Sequence, residues 1–300
     1  MTRLPYKSSV ICQFVGGGIW QACLVPQVPD PQNTYIHGHN DSVLRSHRWR
    51  SVDNSAAYLI PHLQPGQQIL DVGCGPGTIT IDLARRVAPG SVFGVDNELA
   101  PLREARAGAD AQNVSNVTFA VSDVYQLGYQ DGTFDVVHAH QLLQHLAEPV
   151  AALREMGRVC RAGGIVAARD ADYAAMTWYP PDPRLDRWLE LYQRVARSNR
   201  AEPDAGRRLL SWAQAAGFVA ITPSSSVWCH ATPEERAWWG GLWAERITNS
   251  ALSTQAMDSH LATRDDLAEM AEGWRQWAAQ NDGWFAVLHG EVLCRVLRKS

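Results

Sequence analysis

The chain has 300 residues, 46% of them apolar and 19% charged. That is enough hydrophobic material for a sizeable core and excludes disorder as its overall state. Lysine and arginine number 27 against 31 acidic residues, a formal charge of −4, so no overall basic footprint for a nucleic-acid backbone exists and a small-molecule partner is expected.

In chain order, Arg3 and Lys7 precede an apolar stretch from Val10 to Val25 that Gln13, Gly16–Gly18 and Gln21 interrupt. A signal peptide needs a cleaner apolar run and a small-residue cleavage site. Residues 1–32 are therefore expected to form a flexible extension or to reflect a translation start placed too early. Residues 33–300 are expected to make one elaborated domain. No stretch reaches the ~20 apolar residues of a membrane span.

Residues from about Ser42 to Leu63 read as helical and end at Pro65-Gly66. Strand and helix signals then alternate. Strands are predicted at Gln68–Val72, Ser91–Val95, Val117–Val121, Phe134–His138 and Ile165–Arg169, with helices at Thr78–Val87, Leu99–Ala111 and Pro149 to about Cys160. Ala162-Gly163-Gly164 reads as a stop before the fifth strand. Later helices are predicted at Asp186–Ser198, Gly206–Ala216, Pro233–Thr248 and Arg264–Gln280, and two last strands at Val219–Trp228 and Trp284–Val296. The alternation argues for an α/β fold. Its form would be a Rossmann-like, mostly parallel seven-stranded sheet with helices on both faces and a helical insertion, 233–280, before the last strand. That insertion is left open as a lid or a subunit contact, the latter making a homodimer possible. Ten of the twelve tryptophans follow residue 177; most should be packing residues, with Tyr173, Trp178, Tyr179 and Trp239 placed to line an apolar or aromatic acceptor site.

Six cysteines, Cys12, Cys23, Cys74, Cys160, Cys229 and Cys294, form no C-x-x-C pair. Reduced thiols in a cytoplasmic protein are the simpler reading, and zinc is not expected.

The run Asp71-Val72-Gly73-Cys74-Gly75-Pro76-Gly77 joins a predicted strand to a predicted helix. Dinucleotide sites want G-x-G-x-x-G with pyrophosphate on the helix N-terminus. Here Thr78 replaces the third glycine, and Asp71 sets a negative charge beside the turn. Asp96 ends the second strand, where an acid accepts from ribose hydroxyls. A nucleoside whose other end carries an ammonium fits this set better than one carrying phosphates. Each acid also has a plain alternative: Asp71 as a helix cap, Asp96 and Asp123 as turn residues.

These motifs resemble the class I S-adenosylmethionine-dependent methyltransferases, most closely the branch of ubiquinone/menaquinone-biosynthesis enzymes and their small-molecule relatives. The resemblance runs from about residue 40 to 228 through Gly94-Val95-Asp96-Asn97, Val121-Ser122-Asp123, Phe134-Asp135-Val136-Val137, Leu143-Gln144-His145-Leu146, Arg161-Ala162-Gly163-Gly164 and Ala215-Ala216-Gly217-Phe218. It implies S-adenosylmethionine as cofactor. Asp71, Gly73, Cys74 and Gly75 would hold the methionine end, with the backbones of His140 and Gln141 near it. Asp96 would take the ribose; Asn97, Ser122, Asp123 and Val124 would surround the adenine; Arg50 would help close the pocket. His145 is the candidate general base, against a purely structural role. A metal site is not expected, because His138 and His140 lack further converging ligands. The function implied is in-line methyl transfer to a small, apolar or aromatic acceptor. A non-catalytic binder of the same cofactor and an NAD-dependent oxidoreductase stand as alternatives.

Overall fold

The computed structural model describes residues 7–15, 19–27 and 41–297. Strands β1 (Lys7–Val15) and β2 (Ile19–Gln27) pair antiparallel, apart from the main sheet. β-branched residues such as Val10, Val15 and Ile19 are of the type favoured in strands, in a segment expected to form an extension. The remainder of residues 1–32 lies outside the described residues.

The predicted helix over 42–63 is broken into α1 (Asp41–Arg48), α2 (Val52–Ser55) and a 3₁₀ turn at Ala57–His62. Ser51 explains the first break: it caps α2 in a reciprocal box with Asn54, an alternative to continuing the helix. Pro61 keeps the last turn from extending as an α-helix.

The Rossmann-like core then follows the expected alternation: β3 (Gln68–Val72), α3 (Thr78–Val87), β4 (Ser91–Asp96), α4 (Leu99–Ala111), β5 (Val117–Val121), β6 (Phe134–His140), α5 (Pro149–Val159) and β7 (Cys160–Ala171). The expected stop at Ala162-Gly163-Gly164 instead lies inside β7. There the register against β6 slips between Phe134–Cys160 and Val136–Ile165, so the glycines serve a bulge. After β7 come β8 (Thr177–Tyr179), α6 (Pro183–Ser198), α7 (Leu209–Ala215), β9 (Ala220–His230), α8 (Pro233–Asn249), α9 (Ala251–Asp258), α10 (Arg264–Ala278) and β10 (Trp284–Arg295).

The main sheet has eight strands in the order β5-β4-β3-β6-β7-β10-β8, with β9 on the other side of β10. Neighbours from β5 to β7 are parallel; β10 runs antiparallel to β7, β8 and β9. The eighth strand, β8, is only three residues long and continues the β7 side of β10, too short to show a period in sequence. Central β3 and β6 are buried on both faces, as parallel strands under two helical layers must be. Helices α8–α10 intervene between β9 and β10, where the insertion was expected, and pack with α6 around Trp188, Trp243, Trp274, Trp277 and Phe285. Thr232 and Thr263 start α8 and α10 with capping boxes to Glu235 and Asp266. No helix among the described residues is long and apolar enough to cross a membrane.

Candidate active site

One cavity of about 270 Å³ opens at the carboxyl ends of β3, β4 and β6, on the side where open α/β sheets take their ligands. Arg50, Asp71, Gly73, Cys74, Gly75, Asp96, Asn97, Ser122, Asp123, Val124, His140, Gln141 and His145 all line it. The topology explains the convergence: each of these residues lies in the cap before β3, or at or beyond the carboxyl end of a strand from β3 to β6.

The turn after β3 is held by its own backbone. Gly73 and Cys74 both donate to the Val95 carbonyl, at 2.8 and 3.0 Å, and the Gly77 amide donates to Cys74 at 3.0 Å. The Gly75 amide donates to Asp96 Oδ2 at 2.9 Å. Gly77 has φ +76°, and a Cβ there would stand 2.7 Å from the Ala105 Cβ and 2.9 Å from the Phe119 ring. Glycine is thus required for both conformation and close approach. With these four amides spent inside the protein, the turn is poorly equipped to cradle a pyrophosphate.

Asp71 is buried, with Thr80 donating to Oδ2 at 2.6 Å and His138 Nδ1 lying 2.7 Å from Oδ1. Asp96 also receives the Glu98 amide at Oδ1, 3.0 Å. An ionised carboxylate has about four acceptor sites, so Asp71, with two of them engaged, retains capacity toward a ligand. Burial, and then Asp96 and Asp71 nearby, push the Cys74 thiol well above its ordinary range. It is a space-filling thiol and not a nucleophile.

Beyond the turn, Gln141 adopts φ +50°, rare for a residue with a side chain, and its amide donates to the Arg169 carbonyl at 2.7 Å. Its side chain links two others: Arg50 Nη2 donates to Gln141 Oε1 at 2.6 Å, and Gln141 Nε2 lies 2.9 Å from His289 Nε2. Because His289 Nδ1 faces the Val287 carbonyl at 3.1 Å, that nitrogen carries the proton and Nε2 accepts. The relay fixes Arg50 against the cavity wall. His140 is buried, and neither ring nitrogen meets a partner in the protein. Burial, then the Arg50 charge, hold it well below 6.5 and therefore neutral.

His145 is half-buried at the wall. Its Nε2 lies 3.0 Å from the Gln144 side-chain nitrogen, while Gln144 Oε1 accepts from the Ala171 amide at 3.3 Å. The Gln144 amide orientation makes His145 Nε2 an acceptor already in use. Burial, then Arg50, pull the imidazole down to about 3. The general-base role expected of His145 thus meets two obstacles: an occupied lone pair and weak basicity at neutral pH.

The far wall is aromatic. Trp49, Tyr173, Trp228, Trp238, Trp239 and Trp243 line the same cavity, with Met176 and Arg246. Trp49 meets Trp228 edge-on at 5.1 Å and Trp238 at 5.2 Å, and Trp228 Nε1 donates to the Asn54 carbonyl at 2.6 Å. Tyr173 and Trp239 fall where the sequence reading placed them. Trp178 instead stacks on Phe285 at 5.6 Å, and Tyr179 faces solvent. The reading missed Arg246, Trp243 and Trp49. Trp239, Trp243 and Arg246 stand at i, i+4 and i+7 on α8, a stripe that was available in the sequence.

Residues 63–251 match the methyltransferase-domain family. An uncharacterised methyltransferase of Schizosaccharomyces pombe is 33% identical over 274 residues, covering 88% of this chain and 97% of that protein. The chain belongs to the methyltransferase family. A ubiquinone/menaquinone biosynthesis C-methyltransferase of Bdellovibrio bacteriovorus is 38% identical over 101 residues, 34% of this methyltransferase and 43% of that enzyme. Among solved structures, phosphoethanolamine N-methyltransferase 2 of Haemonchus contortus, bound to phosphomonomethylethanolamine and S-adenosylhomocysteine, shares the fold. Its TM-score is 0.56 at 18% identity, over 92% of this chain and 63% of that one. The chain is thus a class I, S-adenosylmethionine-dependent methyltransferase.

Proposed function

We propose that this methyltransferase acts on a small, apolar or aromatic acceptor, bound at the tryptophan-lined end of the cavity while the cofactor occupies the glycine-turn end. One observation carries the reading: the acid-rimmed turn and the aromatic wall belong to a single continuous cavity, so donor and acceptor can lie side by side as in-line transfer requires.

S-adenosylmethionine, when bound, supplies a methyl group already activated on a sulfonium. Asp96 would hold the ribose hydroxyls, with Asn97, Ser122, Asp123 and Val124 around the adenine. Asp71, the Gly73–Gly75 backbone, His140 and Gln141 would surround the methionine end. Arg50 is placed for an amino-acid carboxylate, its guanidinium aimed by Gln141. The acceptor capacity left on Asp71 supports this assignment, as do the internally spent turn amides, which suit a ligand without phosphates. The indole wall would orient the acceptor and exclude water.

Calorimetric titration tests the reading. S-adenosylmethionine and S-adenosylhomocysteine are expected to bind in the micromolar range and NADH not at all. Binding of NADH alone would reject the assignment of the turn.

A further inference from the structure

The imidazole of His138 is completely buried on β6, a strand that otherwise fills the core with Phe134, Val136, Val137 and Ala139. Its Nδ1 lies 2.7 Å from Asp71 Oδ1, while Nε2 meets no partner among the described residues. Burying a polar ring with one nitrogen unsatisfied costs free energy. An apolar side chain would fill the space without that cost, so packing alone is a poor account of a histidine here.

The strand register brings the pair together. Asp71 and His138 are direct neighbours across β3 and β6, so their side chains leave the same face of the sheet. The row continues with Gly94 on β4 beside Asp71 and with Ala167 on β7 beside His138. Both flanking residues are small, which leaves the carboxylate and the imidazole to meet each other. From the helical layer, Thr80 of α3 donates to Asp71 Oδ2 at 2.6 Å. Asp71 itself is 3% exposed and lines the cavity beside Gly73 and Cys74.

Resting on the assignment of Asp71 to the methionine end of the cofactor, we infer that His138 is a positioning residue for the ligand's ammonium. An ionised carboxylate only accepts, so Nδ1 carries the proton and donates to Oδ1. Thr80 holds the other oxygen from a different element. The terminal torsion of an aspartate is broad, and two donors on two oxygens fix a plane that one bond would leave free to turn. The unused acceptor positions are then ordered before the ligand arrives, which lowers the cost of binding. The imidazole is not part of the cavity lining, so it acts through Asp71.

The test is calorimetric titration of the full chain with two ligands. S-adenosylhomocysteine carries the amino-acid end; 5′-methylthioadenosine has the same adenine, ribose and sulfur without it. The wild type should bind S-adenosylhomocysteine the tighter of the two. Leucine and asparagine have the same shape, and the asparagine amide nitrogen falls where the imidazole Nδ1 stood. His138→Leu should weaken S-adenosylhomocysteine at least about tenfold and leave 5′-methylthioadenosine within about twofold, as expected for one lost bond to a charged group. His138→Asn should recover most of the difference. Thr80→Val, which removes the other donor, should show the same selective loss. Unchanged S-adenosylhomocysteine affinity in His138→Leu, an equal loss for both ligands, or an asparagine variant no better than leucine would overturn the inference and leave the cofactor assignment standing. If circular dichroism shows His138→Leu unfolded, Thr80→Val decides: a selective loss upholds the inference, and an equal loss or none overturns it. A wild type that binds both ligands equally would take Asp71 away from the ammonium, and the inference with it.

Discussion

Replacing Asp96 with alanine should weaken S-adenosylhomocysteine binding by about 100-fold. Two effects act together. The acceptor for the ribose hydroxyls disappears, and hydrogen bonds to a charged group contribute about 1.5–3 kcal/mol. The same carboxylate also holds the Gly75 amide at 2.9 Å and the Glu98 amide at 3.0 Å, so its loss releases the turn that contacts the other end of the cofactor. At about 1.4 kcal/mol per decade, the upper part of that range gives the stated factor. Asp96→Asn keeps the shape and one acceptor oxygen, and should cost about tenfold. Isothermal titration measures both; unchanged affinity in Asp96→Ala would take Asp96 out of the ribose role.

A second large effect is expected far from the ligand. Gly290 in β10 faces Gly206 in the 3₁₀ turn Ala205–Arg208, and a Cβ at position 290 would stand 1.9 Å from the Gly206 carbonyl oxygen and 2.5 Å from its carbonyl carbon. Both obstacles are backbone, so no side-chain rotation relieves the clash. The turn cannot easily retreat either, because Arg207 pairs with both oxygens of Asp172 at 2.7 Å. Overpacking of this kind costs about 3 kcal/mol or more, and thermal denaturation of Gly290→Ala should show a midpoint lowered by roughly 6–12 °C. Gly241, in the exposed face of α8, has nothing within 4 Å of its Cβ position. Gly241→Ala should therefore be neutral or gain up to about 1 kcal/mol from helix propensity. Similar midpoints for the two variants would contradict the packing argument.

Much of this organisation was legible because it is local. The strand β3 is a short apolar run ending in an acid and a glycine turn, and β4 to β6 repeat a strand followed by a polar tip. Parallel topology then forces those tips to one edge, which is why residues as distant in sequence as Asp71, Asp96, Asp123 and Gln141 line one cavity. The aromatic wall was not legible in the same way. It is assembled from Trp49 after α1, Trp228 on β9 and Trp238 on α8, whose contact depends on how the cap and the insertion pack. Nor does sequence distinguish a tryptophan at the cavity, such as Trp239, from Trp188 or Trp274, which fill the helical core. His145 illustrates a third kind of miss. It lines the cavity, but the Gln144 amide and the burial that weaken it as a base arise only in the folded chain. The glycines at 163 and 164 carried an ambiguous signal, since a helix stop and a strand bulge call for the same residue.

The most direct test of the account is a crystal structure of the full chain with S-adenosylhomocysteine. The account predicts the ribose against Asp96, the amino-acid end at the Gly73–Gly75 turn near Gln141, and the sulfur turned toward the wall formed by Trp228, Trp239 and Arg246. A cofactor bound with its sulfur facing away from that wall, or a ribose distant from Asp96, would contradict it.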